Sequence, residues 1–420
     1  RALPIVLSSM KTQAIQPEGF KRALQLLRRA TTPSGILASV SEVSNYRRIW
    51  ARDGVICGLA GLVAGDAEVT SGLRASLETL ARCQAPEGQI PSNVEVDSDG
   101  QVRDLSYGGL AGRVDTLPWF VIGVCNYARL TGDQALAERM APAMQKALDL
   151  LTIWEFNRRG LVYVPQGGDW ADEYTLHGYV LSIQLLRLWA LRCHAQTVDA
   201  PASAQRAGEL AELIRANYWP RRRQVDAAAV YHQRAHRLYL EEHGEPDHWL
   251  ATLTPGGYSG QFDALSNALS LLLGLPDKDQ CRHLLDHGQK ISESLPLRMV
   301  PSFWPPIVEG EPGWRELQAS YKDTFSNAPC QYQNGGVWPM VGGWWGLALC
   351  AAERTAEART LLDAVHAFNR KELQAGEDWG FYEYGHARTG TPGGVRFCSW
   401  SAAGAVLLGR GLEGHGLFFG

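Results

Sequence analysis

The chain has 420 residues, 45% hydrophobic and 20% charged, which excludes disordered and fibrous architectures. A formal net charge of −4, with 40 basic and 44 acidic residues and no long run of either sign, argues against a partner that is nucleic acid or an anionic membrane. That length suits two or three average domains or a single large repeat fold. No stretch reaches the roughly 18 apolar residues of a membrane span. The unusual count is 14 Trp, equal to Tyr and above the 11 Phe, which together with 44 Gly suggests a pocket that stacks flat ligands. The chain begins at Arg1 with no signal pattern, and a preceding targeting segment stays open. Eight cysteines lack any CxxC pairing, and Cys57, Cys125, Cys193 and Cys350 lie in apolar runs. Free thiols in a reducing cytoplasm are therefore expected, with no disulfide framework and no metal.

Along the chain two kinds of helical pattern alternate. The first amphipathic helix covers about 18–30, and Asp133–Leu151 and Thr355–Glu372 likewise carry one apolar stripe and one charged face. Thr116–Thr131, Val337–Ala351 and Ser399–Leu408 are apolar nearly all round, the pattern of a buried helix. Apolar helices run into polar-faced ones at Gly65-Asp66, Gly132-Asp133, near Val198-Asp199, at Pro276-Asp277 and near Glu353. Marks at such regular spacing signal a repeat. Twelve helices in six outer–inner pairs make an all-α (α/α)6 toroid of six helical hairpins, read as a single domain over 1–420. Long connections at about 31–50, 86–115, 153–173, 218–259, 292–336 and 373–398 then fall on one face and wall a cup. Val225–Leu240 has some strand character and is expected to form a small hairpin there.

The unusual residues collect in these connections. They include Tyr46, Trp50, Arg52 and Asp53, then Gln89, Arg113 and Asp115, then Asp169, Trp170, Asp172 and His177. Asp263, Trp304, Gln333, Asn334, Trp338, Trp379, Tyr382, Glu383 and Trp400 follow. Aromatic rings stack on the CH faces of a pyranose while carboxylates, amides and Arg hold its hydroxyls, so this set points to sugar binding. Of the tryptophans, Trp119, Trp189, Trp344 and Trp345 read as inner packing. Each piece also has a plain structural reading. Asp53 and Asp115 stand before apolar helices and could serve as N-caps. Arg52 could be an ion-pair partner, Trp338 a core residue, and His177 a hydrogen-bonded core histidine. Glu383 has no helix to cap, and among Trp379, Phe381, Tyr382 and Tyr384 its pKa should be perturbed.

No phosphate loop, GxSxG or HExxH motif is present. The credible chemistry is a carboxylate pair, as in glycoside hydrolysis, where about 5–5.5 Å between carboxyls goes with retention and about 6.5–9.5 Å with inversion.

In order and spacing these stretches resemble the alkaline/neutral invertases, glycoside hydrolases with an (α/α)6 barrel related to glycogen-debranching-type glucosidases. The resemblance rests on Asn45–Asp53, Tyr107–Asp115, Leu176–Gln184, Phe262–Asn267, Leu297–Pro301, Asn334–Pro339, Glu383–Gly390 and Ser399–Gly404, and covers roughly 45–405. It implies an inverting mechanism with Asp115 as acid and Glu383 as base, and Arg52 and Asp53 gripping glucose hydroxyls. Sucrose is the leading substrate it implies, with no cofactor; a homo-oligomer is an open possibility. Departures follow Asp115, where Thr116-Leu117-Pro118-Trp119 replaces the family's Ser-Gly-Leu-Trp-Trp, and Glu383, which precedes Tyr384-Gly385-His386. They leave an isomaltosyl end or glucosylglycerate as alternative substrates. A sugar isomerase or epimerase working through His177 or His386, and a non-catalytic sugar-binding scaffold, are the other two classes.

Overall fold

The computed structural model describes residues 17–43, 45–223, 227–321, 324–372 and 378–420. About half of the chain is helical. In chain order the first helices are α1 (Pro17–Ala30), α2 (Ala51–Ala64), α3 (Ala67–Arg82), α4 (Thr116–Thr131), α5 (Gln134–Ile153), α6 (Leu181–Thr197) and α7 (Pro201–Asn217). There follow α8 (Gln233–His243), α9 (Ala264–Leu272), α10 (Lys278–Glu293), α11 (Trp314–Ala319), α12 (Pro339–Ala351), α13 (Thr355–Asn369) and α14 (Ser399–Leu412).

Helices α2, α4, α6, α9, α12 and α14 are buried at almost every position. They pack in sequence, α2 on α4, α4 on α6, α6 on α9, α9 on α12 and α12 on α14, and α14 returns to α2. Each also carries an amphipathic helix, α3, α5, α7, α10 and α13 on the one before it and α1 on α14. Inside the closed order, Trp119, Trp189 and Trp344 touch one another with ring centroids 5.9–6.1 Å apart. At the end away from the long loops, the Phe418 carbonyl accepts from Trp189 Nε1 at 2.8 Å and from Asn126 Nδ2 at 3.1 Å.

The short turns follow from local chemistry. Gly65 and Gly132 take left-handed conformations that end α2 and α4 (φ 67° and 78°). Asp66 and Asp133 then cap the next helices through Val69 N and Leu136 N. Asp277 and Gln280 form a reciprocal capping box on α10.

The long connections are laced together by backbone hydrogen bonds. Strands β1 (Thr31–Thr32) and β2 (Gly35–Ile36) pair within the first. Strand β3 (Ile49–Trp50) pairs with β4 (Asn93–Val96) and β4 with β5 (Val102–Ser106), joining the first connection to the second. Val114 N donates to Gly168 O at 2.7 Å, joining the second to the third. A four-stranded antiparallel sheet of β6 (Tyr179–Val180), β7 (Leu250–Thr254), β8 (Gly257–Asp263) and β9 (Phe303–Trp304) ties the third, fourth and fifth. Val337 bridges to Gly385 and Ser39 to Cys398, which closes the circuit through the sixth; there β10 (Tyr384–Gly385) pairs with β11 (Pro392–Gly393). These small sheets amend the all-α expectation without altering the helical order.

Two further differences have local causes. The hairpin expected over Val225–Leu240 is not formed: residues 224–226 lie outside the described set, and Gln233–His243 is helical. His232 caps that helix through Ala235 N, and its run is rich in good helix formers. The hairpin of this connection is β7–β8, turned at Pro255-Gly256. Asp53 and Asp115 do not act as capping side chains either. Residue Asp53 lies inside the first turn of α2, whose N-cap is Trp50, and Asp115 at the head of α4 makes no capping bond.

Helices α12 and α14 approach at Gly343 and Gly404. A Cβ on Gly404 would lie 2.4 Å from the Pro339 carbonyl oxygen, and one on Gly343 would lie 2.4 Å from Gly404 Cα. Both obstacles are backbone, so neither can swing aside. Gly404→Ala is expected to lower stability by about 2 kcal/mol, read as a lower denaturant midpoint at unchanged slope.

Candidate active site

The loop face encloses a cavity of about 1450 Å3. Its described lining includes Trp50, Trp170 and Trp400, the tyrosines Tyr46, Tyr332 and Tyr384, Gln333, three arginines and six carboxylates. Every long connection contributes except the fourth, which supports the wall from behind through β7 and β8.

Glu383 sits on this wall, 4% exposed. Tyr46 Oη donates to both of its oxygens at 3.0 Å, and Val395 N donates to Oε2 at 3.2 Å. Gly394 makes that approach possible: its φ is +74° and a Cβ there would lie 2.3 Å from Glu383 Oε2. Burial pushes the Glu383 carboxyl up to about 7; the Val395 and Tyr46 bonds oppose the rise, and the charges of Asp53 and Asp172 add to it. The perturbation expected from its aromatic surroundings is thus present, with desolvation as its main cause.

Facing it is a hub of charge on Arg52. The guanidinium Nη1 lies 3.1 Å from Asp115 Oδ2 and 3.3 Å from Asp172 Oδ1, and Nε lies 3.7 Å from Asp53 Oδ2. Its Cζ stands 5.3 Å from the centroid of the Trp400 ring. Burial opposes the charge of Arg52, but Asp172, Asp115 and Asp53 together hold its pKa above the ordinary arginine value. Asp172 also meets Arg113, whose Nη2 is 3.4 Å from Oδ2. Asp53 is pushed up to about 6, by burial first, against the pull of Arg52.

Arg52 Nε, Asp53 Oδ2, Arg113 Nε and Gln333 Oε1 are buried on this wall without a hydrogen-bond partner. Unmet polar atoms cost about 1–3 kcal/mol each. They leave hydrogen-bonding capacity unused in residues that line the cavity. Among the described residues no group of three or more His, Cys, Asp or Glu is arranged to hold a metal ion.

Of the residues singled out from the sequence, Tyr46, Trp50, Arg52, Asp53, Arg113, Trp170, Asp172, Gln333, Glu383 and Trp400 line the cavity. The others stand apart from it. Asp115 is fully buried behind Arg52, and burial raises its carboxyl above the usual range. Asp169 accepts from Ala171 N and Ser182 Oγ, and burial pushes it up to about 7. Asp263 caps α9 through Ser266, and burial pushes it up to about 6. Asn334 ties Ile307 to Asn327, and Trp338 donates from Nε1 to the Tyr332 carbonyl beneath the floor. Gln89 is half-buried beside Gly112, and Trp304 pairs with Phe262 in β9. Trp379 stacks on Phe381, and Tyr382 accepts from Ser401 through its carbonyl. The His177 ring is exposed, with Nδ1 3.2 Å from the Thr175 carbonyl, so the core reading does not apply, and it is not among the described cavity-lining residues.

Tyr332, Glu173 and Tyr384 also line the cavity and were absent from that set, although each lies in one of the long connections already singled out. Glu316, Ala319, Ser320, Thr324 and Ser326 complete one wall from a stretch with no chemical signature.

Several solved structures that superpose on this chain are described as glycosidases. A mannosylglycerate hydrolase of family GH63 from Thermus thermophilus, in complex with Tris, superposes with a TM-score of 0.62 at 15% identity, covering 92% of this chain and 99% of that one. A bacterial glucoamylase complexed with acarbose gives 0.61 at 16% identity, over 94% of this chain and 55% of the other. The sequence profile of the alkaline and neutral invertase family matches residues 26–412, and the chain belongs to that family. Among curated relatives, the mitochondrial neutral/alkaline invertase 1 of Oryza sativa subsp. japonica is 26% identical, over 87% of this chain and 65% of its own length. Cytosolic invertase 1 of the same plant is 26% identical, over 94% of this chain and 77% of its own.

Replacing Tyr46 by Phe removes a donor that favours the ionised Glu383. The carboxyl should therefore titrate higher than about 7, by on the order of one pH unit. Difference infrared titration of the Glu383 carboxyl band checks this.

Proposed function

We propose that this glycosidase-family chain hydrolyses an α-glucoside with inversion, using Glu383 as base and Asp172 as acid, and that sucrose is its first candidate substrate. The carrying observation is that the two carboxyls reach one cavity from opposite settings. Glu383 is desolvated and held by a phenol and a backbone amide, while Asp172 lies between two guanidinium groups. We read the closed packing order of α2, α4, α6, α9, α12 and α14 as an (α/α)6 toroid forming one domain.

In this reading the glucosyl unit lies against Trp400, Arg52 and Asp53. Glu383 takes a proton from water, whose oxygen bonds to the anomeric carbon. The carbon–oxygen bond to the leaving group breaks on the other face, and Asp172 gives that oxygen a proton. Arg52 and Arg113 meet the carboxylate left behind. Inversion rests on the resemblance to the invertase family. Asp172 takes the acid role in preference to Asp115 because its side chain is 17% exposed and lines the cavity, whereas that of Asp115 is 1% exposed behind Arg52. Asp115 then serves to hold Arg52.

Charge supports a neutral leaving group. Among the described lining residues, Arg48, Arg52 and Arg113 each pair with carboxylates, and the acids outnumber them. That favours sucrose over glucosylglycerate. A cavity of about 1450 Å3 exceeds the roughly 300–1,000 Å3 of small-ligand pockets, which supports an isomaltosyl or longer α-glucoside as the second reading. A cytoplasmic setting has support from the cytosolic rice relative, while other relatives carry mitochondrial or chloroplastic names.

A panel of sucrose, isomaltose, maltose, trehalose and glucosylglycerate, with released glucose followed by NMR, tests substrate and stereochemistry together. Cleavage of sucrose with β-glucose as first product is expected; first release of α-glucose would exclude inversion. Glu383→Gln and Asp172→Asn should each lower kcat by about 100-fold or more, and full turnover by either variant refutes that assignment. Asp115→Asn should retain more activity than Asp172→Asn.

The base must be ionised to act. With Glu383 at about 7 in the free protein, kcat/KM should fall about tenfold per pH unit below that value. A flat profile from pH 5 to pH 8 would count against Glu383 as base.

A further inference from the structure

Tyr332 holds a conformation that its side chain disfavours. Its φ is +42°, in the left-handed region where a bulky residue costs about 1–2 kcal/mol. The surrounding turn enforces it. Its carbonyl accepts from Trp338 Nε1 at 2.9 Å, Gly336 N at 3.0 Å and Ser302 Oγ at 3.3 Å. A Cβ on Gly336 would lie 2.3 Å from that carbonyl oxygen and 2.7 Å from Tyr332 N, so only glycine permits the turn. The ring is clamped by Trp338 and Tyr384, with centroids 5.2 and 5.6 Å away.

None of these contacts uses the hydroxyl. Among the described residues it has no hydrogen-bond partner, and Tyr332 lines the cavity. Burial keeps the phenol protonated, and the charges of Glu383, Asp172 and Glu173 reinforce this while Arg52 opposes it. A fixed, neutral O–H donor thus stands in the field of both carboxyls assigned to the reaction.

We propose that Tyr332 is a substrate-binding residue of the cleavage subsite, its hydroxyl donating a hydrogen bond to a hydroxyl of the glucosyl unit held between Glu383 and Asp172. The strained turn over 332–336 keeps the donor aimed before the sugar arrives, so little ordering remains to be done on binding. The role differs from that of Tyr46, whose phenol is spent on Glu383 itself. This assignment rests on the reading of Glu383 and Asp172 given above.

Tyr332→Phe keeps the ring and its packing and deletes only the donor. Three measurements on the full chain decide the matter. The dissociation constant of glucose, from intrinsic tryptophan fluorescence, should rise roughly 10-fold or more. The kcat/KM for the substrate should fall roughly 10- to 100-fold. The acid limb of the pH profile should stay in place, because the phenol does not hold Glu383. Glucose binding and kcat/KM both within twofold of wild type would overturn the proposal. So would a fall in kcat/KM with unchanged glucose affinity, which would put the phenol on the attacking water. Glu383→Gln assayed alongside keeps the two readings separate: an active Glu383→Gln defeats the base assignment, while the glucose titration still judges Tyr332.

Discussion

The structure depends on the return of α14 to α2. Helices α4, α6, α9 and α12 are apolar or nearly so around their circumference, and such a helix is stable only when every side is covered. An open row would leave the outer flanks of α2 and α14 wet. Packing the last on the first removes both edges at once, and Gly343 and Gly404 let the neighbouring pair α12 and α14 close up. The long connections that lead into these helices meet on one face, where strand, bridge and backbone pairing joins them.

The backbone circuit on that face turns six loops into a rigid rim. Five of the six buried helices start from a residue in extended conformation, namely Trp50, Val180, Asp263, Trp338 and Cys398. Strand or bridge pairing therefore sets where each helix begins, and each helix holds the rim in turn. Rigid placement matters because the rim carries unfavourable electrostatics. Asp53, Asp169, Asp263 and Glu383 are buried carboxyls with raised pKa values, and Arg52 is a buried cation shared among three acids. Such groups are destabilising on their own account, a burden that recurs where a site must be ready for a ligand.

Much of the helical order is legible in the sequence because burial on all sides and burial on one stripe leave different periodicities. Gly65-Asp66 and Gly132-Asp133 mark turns for the same local reason. Short strands such as Tyr179–Val180 leave no such trace, since two residues carry no alternation, and Gln233–His243 shows how weakly local composition separates helix from hairpin. Motif chemistry pointed to connections that line the cavity, yet it could not rank residues within them. Asp115 and Asp172 are both acids in chemically rich connections, and only the fold separates them: both meet Arg52, but the Asp172 side chain is 17% exposed and that of Asp115 1%. Asn334 and Trp338 spend their side-chain hydrogen bonds on neighbouring backbone, whereas Tyr332 in the same run reaches the cavity.

The sequence by itself determined that buried and amphipathic helices alternate, that the chemically rich residues lie in the connections between them, and that Glu383 sits in an aromatic setting. Those are local properties, written in spacing and residue type over a few turns of chain. The tertiary structure alone decided which carboxyls share a cavity, which tryptophans floor it rather than face it, and that Tyr46 and Val395 meet on Glu383. These depend on contacts between residues as far apart as 46 and 383. No periodicity encodes such distances; they are set when the last buried helix packs on the first.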